Sequence, residues 1–263
     1  MKVWTLMENT ACRDDLAAEH GLSLYLETCG LKILFDAGQS GQFADNAEKM
    51  GIDLSQVDLA ILSHGHYDHS GGLLRFLELN DHAKIYVNQY AFDCCYHGDD
   101  RYIGVDPQLQ ACDRLVLVGE TLELAPGLTL CACNEKEKSR PVDSSGLTVL
   151  ENGIFRPDLF RHEQYLLVEE GDRTILISGC SHKGILNITQ WFRPDVLIGG
   201  FHFMNLDPAG DGAQRLRDSA EILMTYPTVY YTGHCTGLDQ FAYLKQFMGE
   251  RLQAIAGGSC LEF

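Results

Sequence analysis

The sequence predicts a mixed α/β (α+β) protein made of a single domain, residues 1–263, with two similar β-rich halves. Short apolar runs with strand character alternate with amphipathic helical segments along the chain. Several strands end in turns that carry histidine or aspartate, and the same arrangement recurs in both halves. No linker-like segment divides the chain, so we expect one domain rather than two.

The first half contains five predicted strands and three predicted helices. The strands are expected at 2–7, 22–27, 31–35, 59–62 and 84–87, and the helices at 43–50, 73–79 and 89–97. Thr28-Cys29-Gly30 is typical of a hairpin turn between the second and third strands. Gly51 is the expected end of the first helix.

The second half begins with a predicted β-meander at 115–118, 121–124 and 128–133, with Gly119 and Pro126-Gly127 at its turns. The segment 134–162 changes to charged and loop-like residues, which predicts a mobile lid or a substrate-access loop. Further strands are expected at 165–169, 174–178, 196–198 and 228–231, with helices at 184–192, 213–224 and 238–248.

Composition and charge narrow the range of partners. The chain has 20 basic and 37 acidic residues and a net charge of −17, which disfavours binding to nucleic acids and anionic membranes. No apolar run approaches the roughly 18 residues of a membrane-spanning helix, and the N-terminus does not resemble a signal peptide. The ten cysteines lack paired C-x-x-C spacing, which favours reduced thiols in a cytoplasmic protein.

One segment, residues 61–72, concentrates metal-binding side chains at a strand-to-helix turn. His64, His66, Asp68 and His69 stand within six positions, and imidazole and carboxylate are the ligands that zinc and similar metals prefer. His64 and His66 can converge on one metal, whereas Asp68 and His69 can serve a second. Side chains from distant strand ends must complete both sites.

The candidates for that role follow three later strands, at His182, His202 and His234. The carboxyl ends of strands are where open sheets place functional groups. We interpret three other histidines, His20, His82 and His97, as structural residues.

These motifs resemble the metallo-β-lactamase superfamily. Its signature corresponds to SHGHYDH (Ser63–His69) followed by Ser-Gly-Gly, together with LFDAG (Leu34–Gly38). Four further stretches resemble one branch of that superfamily, the 7,8-dihydropterin-6-methyl-4-(β-D-ribofuranosyl)-aminobenzene-5′-phosphate synthase-like proteins. They are EHGLS (Glu19–Ser23), GCSH (Gly179–His182), GGFH (Gly199–His202) and GHCTG (Gly233–Gly237), so that the resemblance covers residues 19–237.

The resemblance implies a four-layer αββα sandwich with two divalent metals at one edge, between the halves. Zinc is the expected metal, with iron and manganese as alternatives, and the second site can be weak. The implied ligands are His64 and His66 for the first metal and Asp68, His69 and His234 for the second, while Asp36 orients a ligand.

Two positions of the implied metal centre stay open. His182, which fits the branch motif, is preferred over His162 as the third histidine of the first metal. Cys180 stands where the superfamily ordinarily has a bridging aspartate, and it is either a thiolate ligand or a buried inert thiol.

The resulting functional prediction is a metal-dependent hydrolase that uses an activated water on a small ester, thioester or phosphoester. Asp68 and His202 are the candidate catalytic residues, and Lys183 and Arg161 are candidate anion contacts. The alternatives are a pterin-biosynthesis enzyme, an iron redox protein on the same fold and a non-catalytic binding protein. The expected partner is a small-molecule substrate, and a homo-oligomer is left open.

Overall fold

The computed structural model describes residues 1–263 and contains 18 strands and six α-helices. The strands are β1 (Lys2–Met7), β2 (Ser23–Thr28), β3 (Leu31–Phe35), β4 (Leu59–Ile61), β5 (Lys84–Asn88), β6 (Cys95–His97), β7 (Arg101–Tyr102), β8 (Leu115–Val118), β9 (Thr121–Ala125), β10 (Leu128–Cys131), β11 (Leu147–Glu151), β12 (Ile154–Pro157), β13 (Tyr165–Glu170), β14 (Arg173–Ile177), β15 (Val196–Ile198), β16 (Val229–Thr232), β17 (Leu252–Ala254) and β18 (Cys260–Glu262). The helices are α1 (Gln42–Lys49), α2 (Tyr67–Ser70), α3 (Leu73–Leu79), α4 (Ile185–Phe192), α5 (Gly212–Leu223) and α6 (Leu238–Met248).

Two seven-stranded sheets share one pairing plan. Their strand orders are β18-β1-β2-β3-β4-β5-β8 and β9-β10-β13-β14-β15-β16-β17. Read in these directions, each sheet has three antiparallel pairings followed by three parallel ones. The expectation of two similar β-rich halves is therefore confirmed.

Alternation along the strands distributes the side chains between separate cores. In β3, Leu34 faces the helices α1 and α3, whereas its neighbour Phe35 faces the second sheet. Phe35 packs in one cluster with Ile177 of β14, so this core lies between the two sheets. Helices α4, α5 and α6 cover the outer face of the second sheet. The fold is the predicted αββα sandwich.

Two local predictions were wrong, and a third was wrong in part. Residues 89–97 do not form a helix, because Cys95 pairs with Val149 and residues 95–97 become strand β6. Strand β8 pairs with β5 in the first sheet rather than forming a meander with β9. The segment 134–162 is not a loop throughout, because it contains the hairpin β11–β12, which joins β6 and β7 in a third sheet of four strands; its role as a lid or substrate-access segment stays a prediction. In each case the partner strand is distant in sequence and overrides the local pattern.

The topology brings the predicted functional segments to one edge. Strands β3 and β4 of the first sheet and β14, β15 and β16 of the second lie in the parallel parts of their sheets, and each ends just before a motif of the sequence analysis. None of the helices combines the length and the apolar composition that a membrane crossing requires.

Candidate metal centre

Three histidines from the two sheets form the first group of ligand atoms. His64 and His66 follow β4, and His182 follows β14; each offers a nitrogen within 4.8 Å of the others. Nε2 of His64 lies 3.3 Å from Nε2 of His182. Nε2 of His66 and Nδ1 of His182 are buried without hydrogen-bond partners. Buried nitrogens that converge without partners are suited to a cation.

The second group combines a carboxylate, two imidazoles and a thiol. Asp68, His69, Cys180 and His234 offer ligand atoms within 4.8 Å of one another, and all four residues are buried. Nε2 of His69 lies 3.2 Å from both Sγ of Cys180 and Nε2 of His234. Oδ2 of Asp68 lies 3.3 Å from Nε2 of His234.

Asp36, which follows β3, directs the lone pair of His64 through Ser63. The Asp36 carboxylate accepts the Ser63 backbone N–H and the Ser63 hydroxyl, each at 2.7 Å. Because the hydroxyl hydrogen is donated to Asp36, Ser63 Oγ accepts the Nδ1–H of His64 at 2.8 Å. Nε2 of His64 is therefore unprotonated and faces His182.

The same reasoning fixes the tautomers of His69 and His234. Nδ1 of His69 donates to Oδ2 of Asp36 at 2.7 Å. Nδ1 of His234 donates to the amide oxygen of Asn9 at 2.9 Å. Each neutral ring then presents a lone pair at Nε2, and the two lone pairs converge. Such an arrangement needs a shared proton or a metal ion between the rings.

The pKa values of the buried histidines agree with a role as metal ligands. Burial lowers the pKa of His66 to about 3 and lowers the pKa values of His64 and His182 well below the ordinary value, so these rings keep their lone pairs. Burial also lowers the pKa of His69, but Asp36 and Asp68 outweigh it and the net shift is upward. A metal ion entering the second group would compete with a proton for the Nε2 lone pair of His69.

A third buried group contains Cys95, Asp158 and His162 beside His66. Burial lowers the pKa of His162, but Cys95 and Asp158 outweigh it and raise the pKa to about 10. The Gly65 N–H nevertheless donates to Nδ1 of His162 at 3.0 Å, and this contact requires the neutral ring with Nδ1 as its acceptor nitrogen. Nε2 then carries the hydrogen and donates it to Asp158 at 3.0 Å. Both ring nitrogens of His162 are satisfied, which leaves no lone pair for a metal. This histidine braces the turn between His64 and His66 instead.

Neither of the two candidate anion contacts, Lys183 and Arg161, lines the cavity beside the predicted metal ligands. Lys183 is fully buried, and its ammonium donates to the carbonyls of Ala132 and Glu163. Glu163 also accepts the backbone N–H groups of His182 and Lys183, so it holds the loop that carries His182. Arg161 forms an ion pair with Glu151 at 2.6 Å, outside the cavity beside the metal residues.

A cavity of about 250 Å³ opens onto both groups. Its lining includes His66, Asp68, Cys180, His182, His202, His20, His97, Tyr67 and Arg101. The last four were not predicted as site residues from the sequence. His20 Nε2 lies 3.3 Å from Asp68 Oδ2, and its Nδ1 accepts from the Asn9 amide, so His20 donates its Nε2–H to Asp68.

The predicted catalytic pair, Asp68 and His202, faces this cavity. Burial opposes charge on Asp68, but its contacts with His69 and His20 lower the pKa well below the ordinary value, so the carboxylate is ionised. Burial lowers the pKa of His202 to about 4, and the ring is therefore neutral at pH 7. The neutral ring can donate a hydrogen bond, but it carries no positive charge.

Gly179, which follows β14, lies directly against the turn after β4 that carries Ser63 and His64. A Cβ at this position would overlap Ser63 Oγ and lie 3.0 Å from Nδ1 of His64. We expect Gly179→Ala to weaken metal binding by about 10–100-fold, because it disturbs the support of a predicted ligand. Metal titration of the purified variant measures this effect.

Gly119→Ala is the matched control, since a Cβ there meets no atom within 4 Å. Equal metal affinities of the Gly179→Ala variant and the wild type would show that this close contact does not support the centre.

Comparison with known proteins identifies the family of this chain. The family model of the metallo-beta-lactamase superfamily matches residues 17–234. The chain belongs to the metallo-β-lactamase superfamily. The matched range contains every predicted metal ligand, from His64 to His234.

Individual proteins that are similar to this chain support the assignment of the fold. The chain is 28% identical to the 7,8-dihydropterin-6-methyl-4-(β-D-ribofuranosyl)-aminobenzene-5′-phosphate synthase of Methanocaldococcus jannaschii, over 100% of this chain and 97% of that protein. It is 27% identical to Tm1679, a metal-dependent hydrolase of the beta-lactamase superfamily, with a TM-score of 0.81 and coverage of 100% and 99%. The structure of Zn²⁺-bound PqqB from Methylobacterium extorquens covers 100% of both chains at 15% identity and a TM-score of 0.56, which shows a shared fold.

Proposed function

We propose that this protein is a metal-dependent hydrolase that uses a metal-activated water on a small ester-type substrate, phosphorylated or not. The observation that carries the proposal is the convergence of two groups of buried ligand atoms on one cavity. The similarity to Tm1679, a metal-dependent hydrolase, supports the same reaction class. The small cavity and the net charge of −17 favour a small molecule over a nucleic acid.

We assign His64, His66 and His182 to a first divalent metal, with zinc as the expected ion. His182 is preferred over His162 because both ring nitrogens of His162 already have hydrogen-bond partners. Asp68, His69, His234 and Cys180 are assigned to a second metal.

When bound, divalent metals supply Lewis acidity and lower the pKa of water from about 16 to about 7. Asp68, which is ionised and receives the Nε2–H of His20, can accept a hydrogen bond from that water and orient it. His202 is neutral and faces the same cavity, where it can donate a hydrogen bond to the substrate. Asp36 keeps Nε2 of His69 directed at the second metal site.

The second candidate function is pterin biosynthesis. It is favoured by the full-length match to the dihydropterin ribofuranosylaminobenzene phosphate synthase. The two functions differ in the bond that changes, because a hydrolase adds water across an ester whereas a synthase joins two substrates.

A substrate survey combined with metal analysis tests the proposal. Purified protein is expected to contain zinc and to hydrolyse at least one member of a panel of phosphodiesters, thioesters and lactones. Metal-free protein, prepared with a chelator, is the control and should be inactive until zinc is restored. A stoichiometric di-iron centre with reductase activity, or synthase activity without hydrolysis, would contradict the proposal.

Cys180→Ser tests the thiolate ligand. Burial raises the pKa of the free Cys180 thiol well above its ordinary value, so only a bound metal would keep it as thiolate at neutral pH. In cobalt-substituted protein we expect a thiolate-to-cobalt charge-transfer band that Cys180→Ser removes, together with roughly tenfold weaker binding of the second metal.

Cys133→Ser is the control for that experiment, because Cys133 is also a buried thiol but belongs to neither group of ligand atoms. An unchanged band and unchanged metal content in the Cys180→Ser protein would identify Cys180 as an inert core thiol.

A further inference from the structure

A cation without a carboxylate partner lies at the mouth of the cavity. Arg101 of β7 is exposed, and its guanidinium donates to the Tyr67 hydroxyl at 3.0 Å. Its Cζ atom lies 5.6 Å from the centre of the Tyr67 ring. Some exposed arginines of this acidic chain, such as Arg13, Arg75 and Arg156, form ion pairs with carboxylates, whereas Arg140 and Arg217 form none and lie outside this cavity. Arg101 forms none, so its charge is available to a ligand.

The surroundings of Arg101 hold it next to the metal residues. Tyr67 stands between His66 and Asp68 in the sequence, and its backbone N–H donates to the Ile103 carbonyl at 2.9 Å. This bond attaches the strand that carries Arg101 to the predicted metal-binding turn. His97 pairs with Arg101 in the small third sheet, and both line the cavity.

The groups that face this end of the cavity are suited to a phosphate. Arg101 supplies a planar set of N–H donors, and the Tyr67 hydroxyl, which accepts from Arg101, still has its own hydrogen to donate. His97 and Ser145 add further polar groups to the lining. Asp68 is the single carboxylate in the lining, and it belongs to the predicted metal group; Asp99 and Asp100 of the hairpin turn do not line the cavity.

We propose that Arg101 and Tyr67 form a subsite that binds a phosphate monoester group of the substrate, away from the bond that is cleaved. The inference rests on the proposed function, because it supposes that the reacting bond lies at the metal residues. It assigns to Arg101 the role that sequence reasoning gave to Lys183 and Arg161. Specificity for phosphorylated substrates would then come from Arg101 of the third sheet and Tyr67 of α2, not from either metal.

Calorimetric titration with ribose 5-phosphate and with ribose tests the subsite without requiring turnover. The metal-loaded wild type should bind ribose 5-phosphate more tightly than ribose. Arg101→Ala should raise the Kd for ribose 5-phosphate by about 10–100-fold, as expected for the loss of a charge-assisted hydrogen bond. Arg101→Lys should bind with intermediate affinity, because it keeps the charge but loses the planar donor set.

Arg156→Ala is the matched control, since Arg156 lies on β12 of the same small sheet, pairs with Glu151 and does not line this cavity. Equal binding by wild type and Arg101→Ala, or no preference for ribose 5-phosphate over ribose, would overturn the subsite. Tighter binding of ribonate than of ribose 5-phosphate would overturn the choice of phosphate over carboxylate. Arg101-dependent binding in a protein that hydrolyses no ester would refute the proposed function and leave the subsite standing.

Discussion

Replacing His66 by Ala is expected to reduce turnover by more than about 100-fold and to remove one metal ion per chain. His66 contributes one of three nitrogens in the first group, and its Nε2 is buried without any other partner. Removal of a hydrogen-bond partner of a metal ligand typically lowers metal affinity or activity by about 10–100-fold. Removal of the ligand itself should lower them further. Metal analysis and steady-state kinetics on the same preparation measure both effects.

His82→Ala controls for the loss of a histidine as such, because His82 is exposed and contacts only Asp81 among charged residues. Its metal content and turnover should equal those of the wild type. Full turnover in the His66→Ala protein would show that the reaction does not depend on this group.

Asp36→Asn is expected to weaken both metals at once, by about 10–100-fold each, although Asp36 belongs to neither group of ligand atoms. The Asp36 carboxylate accepts hydrogen bonds from Ser63 and from Nδ1 of His69. An asparagine of the same shape loses one acceptor oxygen and gains an N–H₂ group. Directed at Nδ1 of His69, that group would favour the tautomer with hydrogen on Nε2, which cannot ligate.

Asp58→Asn is the appropriate control, since Asp58 is an exposed aspartate just before β4 whose carboxylate accepts one backbone N–H. Zinc titrations of the two variants at pH 7 give the comparison. If Asp36→Asn binds two zinc ions with wild-type affinity, the proposed control of the histidine tautomers by Asp36 is wrong.

The parts of this molecule that were predictable from sequence are those with local signals. The turn from His64 to His69 combines ligand-type residues at close spacing with an apolar strand before it. Three later strands end in histidines, and parallel strands align their carboxyl ends at one edge. The predicted residues therefore come together, and the αββα sandwich that the motif resemblance implied is present.

Contacts between residues that are far apart in the sequence could not be predicted, because no local sequence pattern indicates them. Asn9 fixes the tautomer of His234 across 225 positions, and nothing in its sequence context indicates this role. Glu163 holds the His182 loop in the same way from a position two residues before β13, where no sequence motif indicates this role. His20 and His97 were interpreted as structural residues, yet both line the cavity. Arg101 was missed because residues 134–162 were expected to be a loop, whereas β11 and β12 complete the sheet that positions it.

We propose that two metals bind side by side, with His182 and not His162 in the first site. Anomalous diffraction at the zinc absorption edge, from crystals of zinc-reconstituted protein, tests it most directly. We expect two peaks, one among His64, His66 and His182 and one among Asp68, His69, His234 and Cys180. A peak among Cys95, Asp158 and His162, or the absence of a peak beside His182, would contradict it.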